Sequence, residues 1–258
     1  MSNEPPTSST EQTSQAVQKL MDQYTEIARL AGALAHEIKN PLSTIRLNME
    51  LLAEDMEAQD QKHGPAPAQR RAAKRIDLVH RECQRLQDLL DDFLNYAKVR
   101  HLHLQPTDLN AQISETLDFF APEAAEAEVE VVRYLDPELP SVLLDREAFR
   151  GALLNLILNA KQAMPGGGQL VVRTSAASEK VALYLIDTGC GMDESTAAQM
   201  FDAFFSTKPG GSGLGLPTTA KIIEAHDGRI SVQSSVGRGT QFTVELPVPA
   251  RLEVGSVQ

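Results

Sequence analysis

An apolar rhythm in the first half of the chain limits what it can fold into. Ala72, Ile76, Val79, Cys83, Leu86, Leu90, Phe93 and Ala97 follow one another in steps of four and three. A seven-residue repeat keeps one seam turned toward a partner, so this stretch reads as a long helix in a left-handed bundle. Val17, Leu20, Tyr24, Ile27, Ala31, Leu34 and Ile38 keep the same alternation upstream, and Leu42, Ile45, Met49, Leu52 and Met56 resume it after Pro41. The two runs are separated by the breaker Gln59-Asp60-Gln61-Lys62-His63-Gly64-Pro65-Ala66-Pro67. Two long helices with a short connection make an antiparallel hairpin. Such a hairpin has two apolar seams and too little surface of its own to cover both. Two copies are therefore expected to pair into a four-helix bundle. Cys83 falls on the seam and reads as a small core residue.

The pattern changes at His101-Leu102-His103-Leu104-Gln105-Pro106. Beyond it, helical segments at Leu109 to about Ala125, Asp145 to Met164 and Leu216 to Ala225 mix with alternating segments. Strands are expected at Val129–Tyr134, Leu170–Thr174, Val181–Ile186, Arg229–Ser234 and Thr240–Leu246. Asp145 is placed to cap its helix, and Pro165-Gly166-Gly167-Gly168 closes it. The fold class is thus α+β: a dimeric four-helix-bundle hairpin followed by an α/β sandwich with helices on one face of a mostly antiparallel sheet. The boundaries expected are a polar tail at 1–14, the hairpin at 15–100, a linker at 101–107, the second domain at 108–250 and a tail at 251–258.

Charge and composition exclude several classes. Lys+Arg 24 minus Asp+Glu 35 gives a net charge of -11, which repels nucleic acid and anionic lipid in bulk. The one basic cluster, Gln69 to Arg75, lies on a helical pattern and reads as a solvated face. No apolar run approaches the ~18 residues of a membrane span, and no basic start precedes an apolar stretch as in a signal peptide. The two cysteines, Cys83 and Cys190, lie far apart, with no Cys-x-x-Cys or Cys/His pairing. A cytoplasmic location is expected, with no nucleic-acid partner.

Four segments of the second domain bear on chemistry. Asn155 and Asn159 are four apart and share a helix face, as in a binding site or in helix–helix contacts. Asp187-Thr188-Gly189-Cys190-Gly191-Met192 follows a strong strand. A carboxylate followed by Gly-x-Gly lets a flat ligand approach the backbone while the acid accepts its amino group; a glycine turn with an Asx bond is the alternative. Phe201-Asp202-Ala203-Phe204-Phe205-Ser206-Thr207-Lys208 places three aromatics in one loop of a chain with 5% aromatics and no Trp, which suggests a hinge. Gly210-Gly211-Ser212-Gly213-Leu214-Gly215-Leu216 is a glycine loop opening into a helix, whose N–H groups favour phosphate.

In this order, with Gly237-Arg238-Gly239-Thr240 behind them, the segments resemble the N, G1, F and G2 boxes of the ATP-binding domain of sensor histidine kinases. Gyrase and the mismatch-repair ATPases share its fold. The resemblance covers about Leu104 to Pro247 and implies ATP and Mg2+ as ligands. It implies that Asn159 ligates the metal and Asn155 helps hold the phosphates. Asp187 would accept from the adenine amino group, with Gly189, Gly191, Met192 and Thr240 nearby. Thr207, Lys208 and the loop of Gly211, Gly213, Leu214, Gly215 and Leu216 would close over the triphosphate. Where hydrolysing relatives carry a water-activating Glu, this chain has Asn155, so another nucleophile is needed. Gln162 and Ala163 stand where an aromatic and a Lys often face the nucleotide, and the short loop from Phe201 to Gly211 implies a small lid.

His36 lies in Leu34-Ala35-His36-Glu37-Ile38-Lys39-Asn40-Pro41. It is two residues from the seam positions Leu34 and Ile38, about 200° around the helix, so it points outward. By position alone it is either a surface histidine or a reactive one. Glu37 can accept a proton from Nδ1, leaving Nε2 nucleophilic, and Asn40 shares the His36 face. Pro41 costs the helix roughly 3 kcal/mol and loosens it one turn further on. His36-Glu37-x-x-Asn40-Pro41 matches the family's H box, extending the resemblance across about Tyr24 to Ala97. It implies autophosphorylation of His36, transfer to an aspartate of a response-regulator receiver domain, and dephosphorylation of that regulator through Glu37 and Asn40. No sensor domain fits before Tyr24, so input is expected from a separate sensory protein, a bundle ligand or the regulator. The competing reading is an ATP-responsive dimeric regulator-binding module without kinase activity.

Overall fold

The computed structural model describes residues 7–58, 65–98, 102–177, 179–208 and 211–249. It separates into two compact units, Met1–Phe93 and Leu94–Gln258.

Helix α1 runs Thr7–Ala58 and α2 runs Pro65–Lys98, the first unit taking all of α1 and α2 as far as Phe93. Residues 7–14, which composition assigned to a tail, are thus helical. Once a helix is nucleated, adding polar residues at its end costs little per residue. The tail readings at 1–6 and 251–258 lie outside the described residues. The helices run antiparallel, and the Arg75 guanidinium donates to the Leu51 carbonyl near the turn. Leu30 and Leu89 are buried.

The heptad positions of α2 divide cleanly into two sets. Ala72, Val79, Leu86 and Phe93 are partly covered within the hairpin, whereas Ile76, Cys83, Leu90 and Ala97 are exposed. Ile76 is 57% and Leu90 48% accessible. In α1, Ile45 and Leu52 are partly covered while Leu42 and Met49 are each 50% exposed. Cys83 is therefore not a core residue of the single chain. It belongs to the seam that the hairpin does not close.

The second unit contains β1 (Gln105–Thr107), α3 (Leu109–Glu126), β2 (Val129–Tyr134), β3 (Val142–Leu144), α4 (Arg146–Ala163), β4 (Gly168–Ala177) and β5 (Lys180–Asp187). It continues with α5 (Glu194–Gln199), α6 (Gly215–Ala225), β6 (Arg229–Ser235) and β7 (Gly239–Pro247). The main sheet has the order β2-β4-β5-β7-β6, with β2 parallel to β4 and the other pairs antiparallel. Every second residue of β5 (Val181, Leu183, Leu185, Asp187) is buried. Val181, Leu183 and Leu185 pack with Leu117 and Phe120 of α3 and with Phe149, Leu153 and Ile157 of α4 in one core. Residues 105–107, read as linker, instead pair with β3 and belong to this unit.

The N-terminal cap of α4 is tied to the C-terminal cap of α6. Asp145 caps α4 by accepting from the Ala148 N–H. The buried His226, at the C-terminal end of α6, donates from Nδ1 to the Ile222 carbonyl (2.7 Å) and accepts the Asp145 N–H at Nε2 (2.9 Å). Among the described residues no helix is long and apolar enough to cross a membrane.

Candidate active site

The site of the second unit is built where α4, the end of β5 and the start of α6 meet. One turn of α4 separates Asn155 from Asn159. The Asn159 Nδ2 donates to the Asn155 carbonyl (2.9 Å) and to its side-chain Oδ1 (3.3 Å). Asn155 in turn donates from Nδ2 to Thr219 Oγ1 of α6 at 2.8 Å. The Asn159 Oδ1 is left pointing at a cation, the Lys208 ammonium, at 2.6 Å, and Gln162 Oε1 accepts from the same ammonium. Burial holds Lys208 below its usual range, an effect that nearby Cys190 opposes. Among the described residues no three His, Cys, Asp or Glu side chains cluster as metal ligands. The oxygen available to a cation here is an amide.

Asp187 closes β5 and is 4% exposed. Among the described contacts both hydrogen bonds to its carboxylate fall on one oxygen: Oδ1 accepts the N–H of Gly189 (2.8 Å) and of Thr240 (3.2 Å), and none engages Oδ2. Burial raises the carboxyl above the ordinary carboxylate range, and the two N–H bonds oppose that shift. A cleft of about 770 Å³ opens here, lined by Asp187, Met192, Ser234, Arg238 and Thr240 among others.

The Gly-x-Gly spacing has a steric cause. A Cβ on Gly189 would lie 2.7 Å from Ala163 and 2.8 Å from Asp187 Oδ1. Gly191 has φ +66, and a Cβ there would sit 2.0 Å from the Ser235 carbonyl. Around them, Cys190 donates its N–H to Ala163 (2.9 Å), and Met192 donates to Ser234 Oγ (2.8 Å).

The aromatic loop and the glycine loop are joined. Phe204, at φ +68, donates its N–H to the Gly213 carbonyl at 3.0 Å. A Cβ on Gly213 would lie 2.5 Å from the Phe204 backbone, and one on Gly215 would lie 2.7 Å from Asn155 Oδ1. Thr207 and Gly211 are exposed. Leu214 is fully buried and Leu216 packs against the core, so these two anchor the loop instead of presenting side chains to a ligand.

The structure thus brings together Asn155, Asn159, Lys208 and Gly215, and separately Asp187, Gly189, Gly191, Met192 and Thr240. Sequence reasoning missed Thr219 and Ser234. A threonine among the apolar residues of α6 was the one visible signal for the first.

In the first unit, His36 and Asn40 are exposed on α1, Glu37 is half-buried and Pro41 is buried. Ser43 and Thr44 donate their hydroxyls to the carbonyls of Lys39 (2.8 Å) and Asn40 (3.3 Å) beside the proline. Pro41 has no N–H to give the Glu37 carbonyl. Among the described contacts, Glu37 makes no hydrogen bond to His36.

Comparison with known proteins bears on both units. The His Kinase A (phospho-acceptor) domain model matches residues 26–102, and the histidine kinase-, DNA gyrase B-, and HSP90-like ATPase model matches residues 144–250. The signal transduction histidine-protein kinase AtoS of Escherichia coli (strain K12) is 33% identical over 228 residues, 88% of this chain and 36% of AtoS. This chain therefore spans about a third of that relative. The crystal structure of full-length ShkA in complex with AMPPNP is 25% identical, with TM-score 0.60 over 80% of this chain and 46% of ShkA. The histidine kinase ThkA, solved in complex with the response regulator protein TrrA, shares the fold at TM-score 0.66 and 24% identity over 96% of this chain and 68% of ThkA. With a phospho-acceptor domain followed by an ATPase domain, the chain belongs to the histidine kinases.

Proposed function

We propose that this chain is an ATP-dependent protein histidine kinase that phosphorylates its own His36 and passes the group to an aspartate of a response-regulator receiver domain. One observation carries the reading. Asn155 occupies the place where a water-activating acid would stand, and both ends of its amide are already hydrogen-bonded. The site can hold a triphosphate yet has no base there to turn water on it. The exposed imidazole on α1 supplies the nucleophile.

The residues divide the work as follows. Asp187 Oδ2 accepts the adenine amino group while Gly189 and Gly191 allow the flat base to lie against backbone. The N–H groups at the start of α6 face the phosphates. The Asn159 oxygen suits Mg2+, since an ammonium already rests on it. Mg2+ when bound offsets negative charge on the phosphates. Lys208 leaves Asn159 and Gln162 for the phosphate oxygens. The His36 Nε2 lone pair forms a bond to the γ-phosphorus as the bridging oxygen departs with ADP, and Glu37 takes up the Nδ1 proton. In the second transfer a receiver aspartate displaces His36 from phosphorus. In the reverse activity, Glu37 and Asn40 orient water against the regulator's acyl phosphate.

Phosphotransfer profiling tests the relay. Labelled chain is mixed with purified receiver domains one at a time. The expected result is rapid loss of label from His36 and its appearance as an alkali-labile acyl phosphate on one of them. A labelled chain that gives its phosphate to no receiver overturns the relay. A chain that captures a receiver but never takes label is the binding module.

We also propose that the seam of Ile76, Cys83, Leu90 and Ala97 on α2, with Leu42 and Met49 on α1, pairs with the same seam of a second copy. An isologous contact places identical residues around one two-fold axis. With Cys190 replaced by Ser, a short bismaleimide should join two chains through Cys83 at low protein concentration. A purely monomeric product would refute the pairing.

A further inference from the structure

Asn159 presents an oxygen to its cation, and an amide turned by 180° would present an NH2 group instead. What fixes its direction can be traced through named bonds. The Gly215 carbonyl can only accept, and it takes the hydroxyl proton of Thr219 at 3.1 Å. With its one proton committed, Thr219 Oγ1 faces Asn155 with a lone pair, so the Asn155 amide must turn its Nδ2 that way, at 2.8 Å. Its Oδ1 then points back along α4 and accepts from Asn159 Nδ2 at 3.3 Å. The Asn159 Nδ2 is held there also by the Asn155 carbonyl at 2.9 Å. The remaining end of Asn159, its Oδ1, meets the ammonium at 2.6 Å. Every link has one permitted polarity once the first carbonyl is given, so the assignment of each amide follows from the network.

Thr219 is 1% exposed, so no water replaces it. We propose that Thr219 is a positioning residue: its hydroxyl sets the polarity of the Asn155–Asn159 pair and so keeps the Asn159 oxygen turned toward the metal of a bound nucleotide. The proposal rests on Asn159 being the metal ligand of the nucleotide site. Valine has the shape of threonine with neither donor nor acceptor, and serine keeps the hydroxyl. In Thr219→Val the Asn155 amide loses its acceptor on the α6 side, and only the longer 3.3 Å bond from Asn159 Nδ2 still favours Oδ1 in that direction. The carbonyl bond to Asn159 remains, so the effect is graded.

The test is AMPPNP binding to the full chain by calorimetry at increasing MgCl2, alongside melting of the nucleotide-free protein. Thr219→Val should need roughly fivefold more Mg2+ for half-maximal tight binding, the size of one lost hydrogen bond. Its AMPPNP affinity in excess EDTA should stay at the parent value, and its melting temperature should move by no more than about 3 °C. Thr219→Ser should behave as the parent. Equal Mg2+ midpoints for parent and Thr219→Val overturn the proposal. So does a Thr219→Ser variant as impaired as the valine, which would make packing the cause. Parent binding that ignores Mg2+ strikes the metal-site reading itself, and this proposal falls with it; that outcome is visible in the parent alone.

Discussion

Incubated with ATP and Mg2+, the purified chain should acquire a phosphate that acid removes and alkali does not, and the His36→Gln variant should acquire none. A phosphorus–nitrogen bond has that stability profile, whereas serine and threonine esters resist acid. Glutamine keeps a polar side chain of similar reach on α1 but lacks the lone pair that attacks phosphorus. Because the nucleophile is the reacting group, the expected loss is on the order of 10³-fold or more. His36 is exposed, so its replacement removes no packing, and surface changes of this kind move stability by only about 0.5 kcal/mol. Nucleotide binding should also survive, since every residue of that site lies in the second unit. Label persisting in His36→Gln would put the acceptor elsewhere. Loss of label together with loss of AMPPNP binding would make His36 a structural residue.

Replacing Asp187 with Asn should weaken AMPPNP binding by about 1.5–3 kcal/mol, some ten- to 150-fold. Asparagine keeps an oxygen for the N–H groups of Gly189 and Thr240, so the loop retains its shape. Its NH2 then faces the adenine amino group, donor against donor. A pH titration gives the same residue a second signature. Burial raises the Asp187 carboxyl, and the ionised form accepts from adenine more strongly than the protonated one. Affinity should therefore fall as pH drops through that raised value, above the range of ordinary carboxylates, and the Asn variant should lack this step. In the nucleotide-free protein the sign is reversed. The fold holds the Asp187 proton more tightly than the unfolded chain does, so stability declines as pH rises from the unfolded value through the folded one. Unchanged affinity in Asp187→Asn would place the base elsewhere.

The two-part architecture and much of the candidate site's local geometry are legible in the sequence because each leaves a periodic or steric trace. Helical phase gave the outward direction of His36, and the glycines at 189, 191, 213 and 215 mark places where a Cβ collides with backbone or with a site residue. Cys83 was misplaced because a heptad names two seams without saying which closes on its own hairpin; Val79 and Leu86 do, Ile76 and Cys83 do not. Strands β1 and β3 are three residues each, too short for alternation to register. Leu214 and Leu216 sit inside the glycine motif but serve the core. The Thr219 network was out of reach for another reason. Its partners lie 64 positions apart, and nothing local announces them.

Helix α6 is fastened to α4 at two levels, by Thr219 and Asn155 midway along it and by His226 and the Asp145 amide at its C-terminal cap. If the phosphates of a nucleotide rest on the start of this helix, as proposed above, they meet a helix already pinned to its neighbour, and less ordering entropy is left to spend on binding.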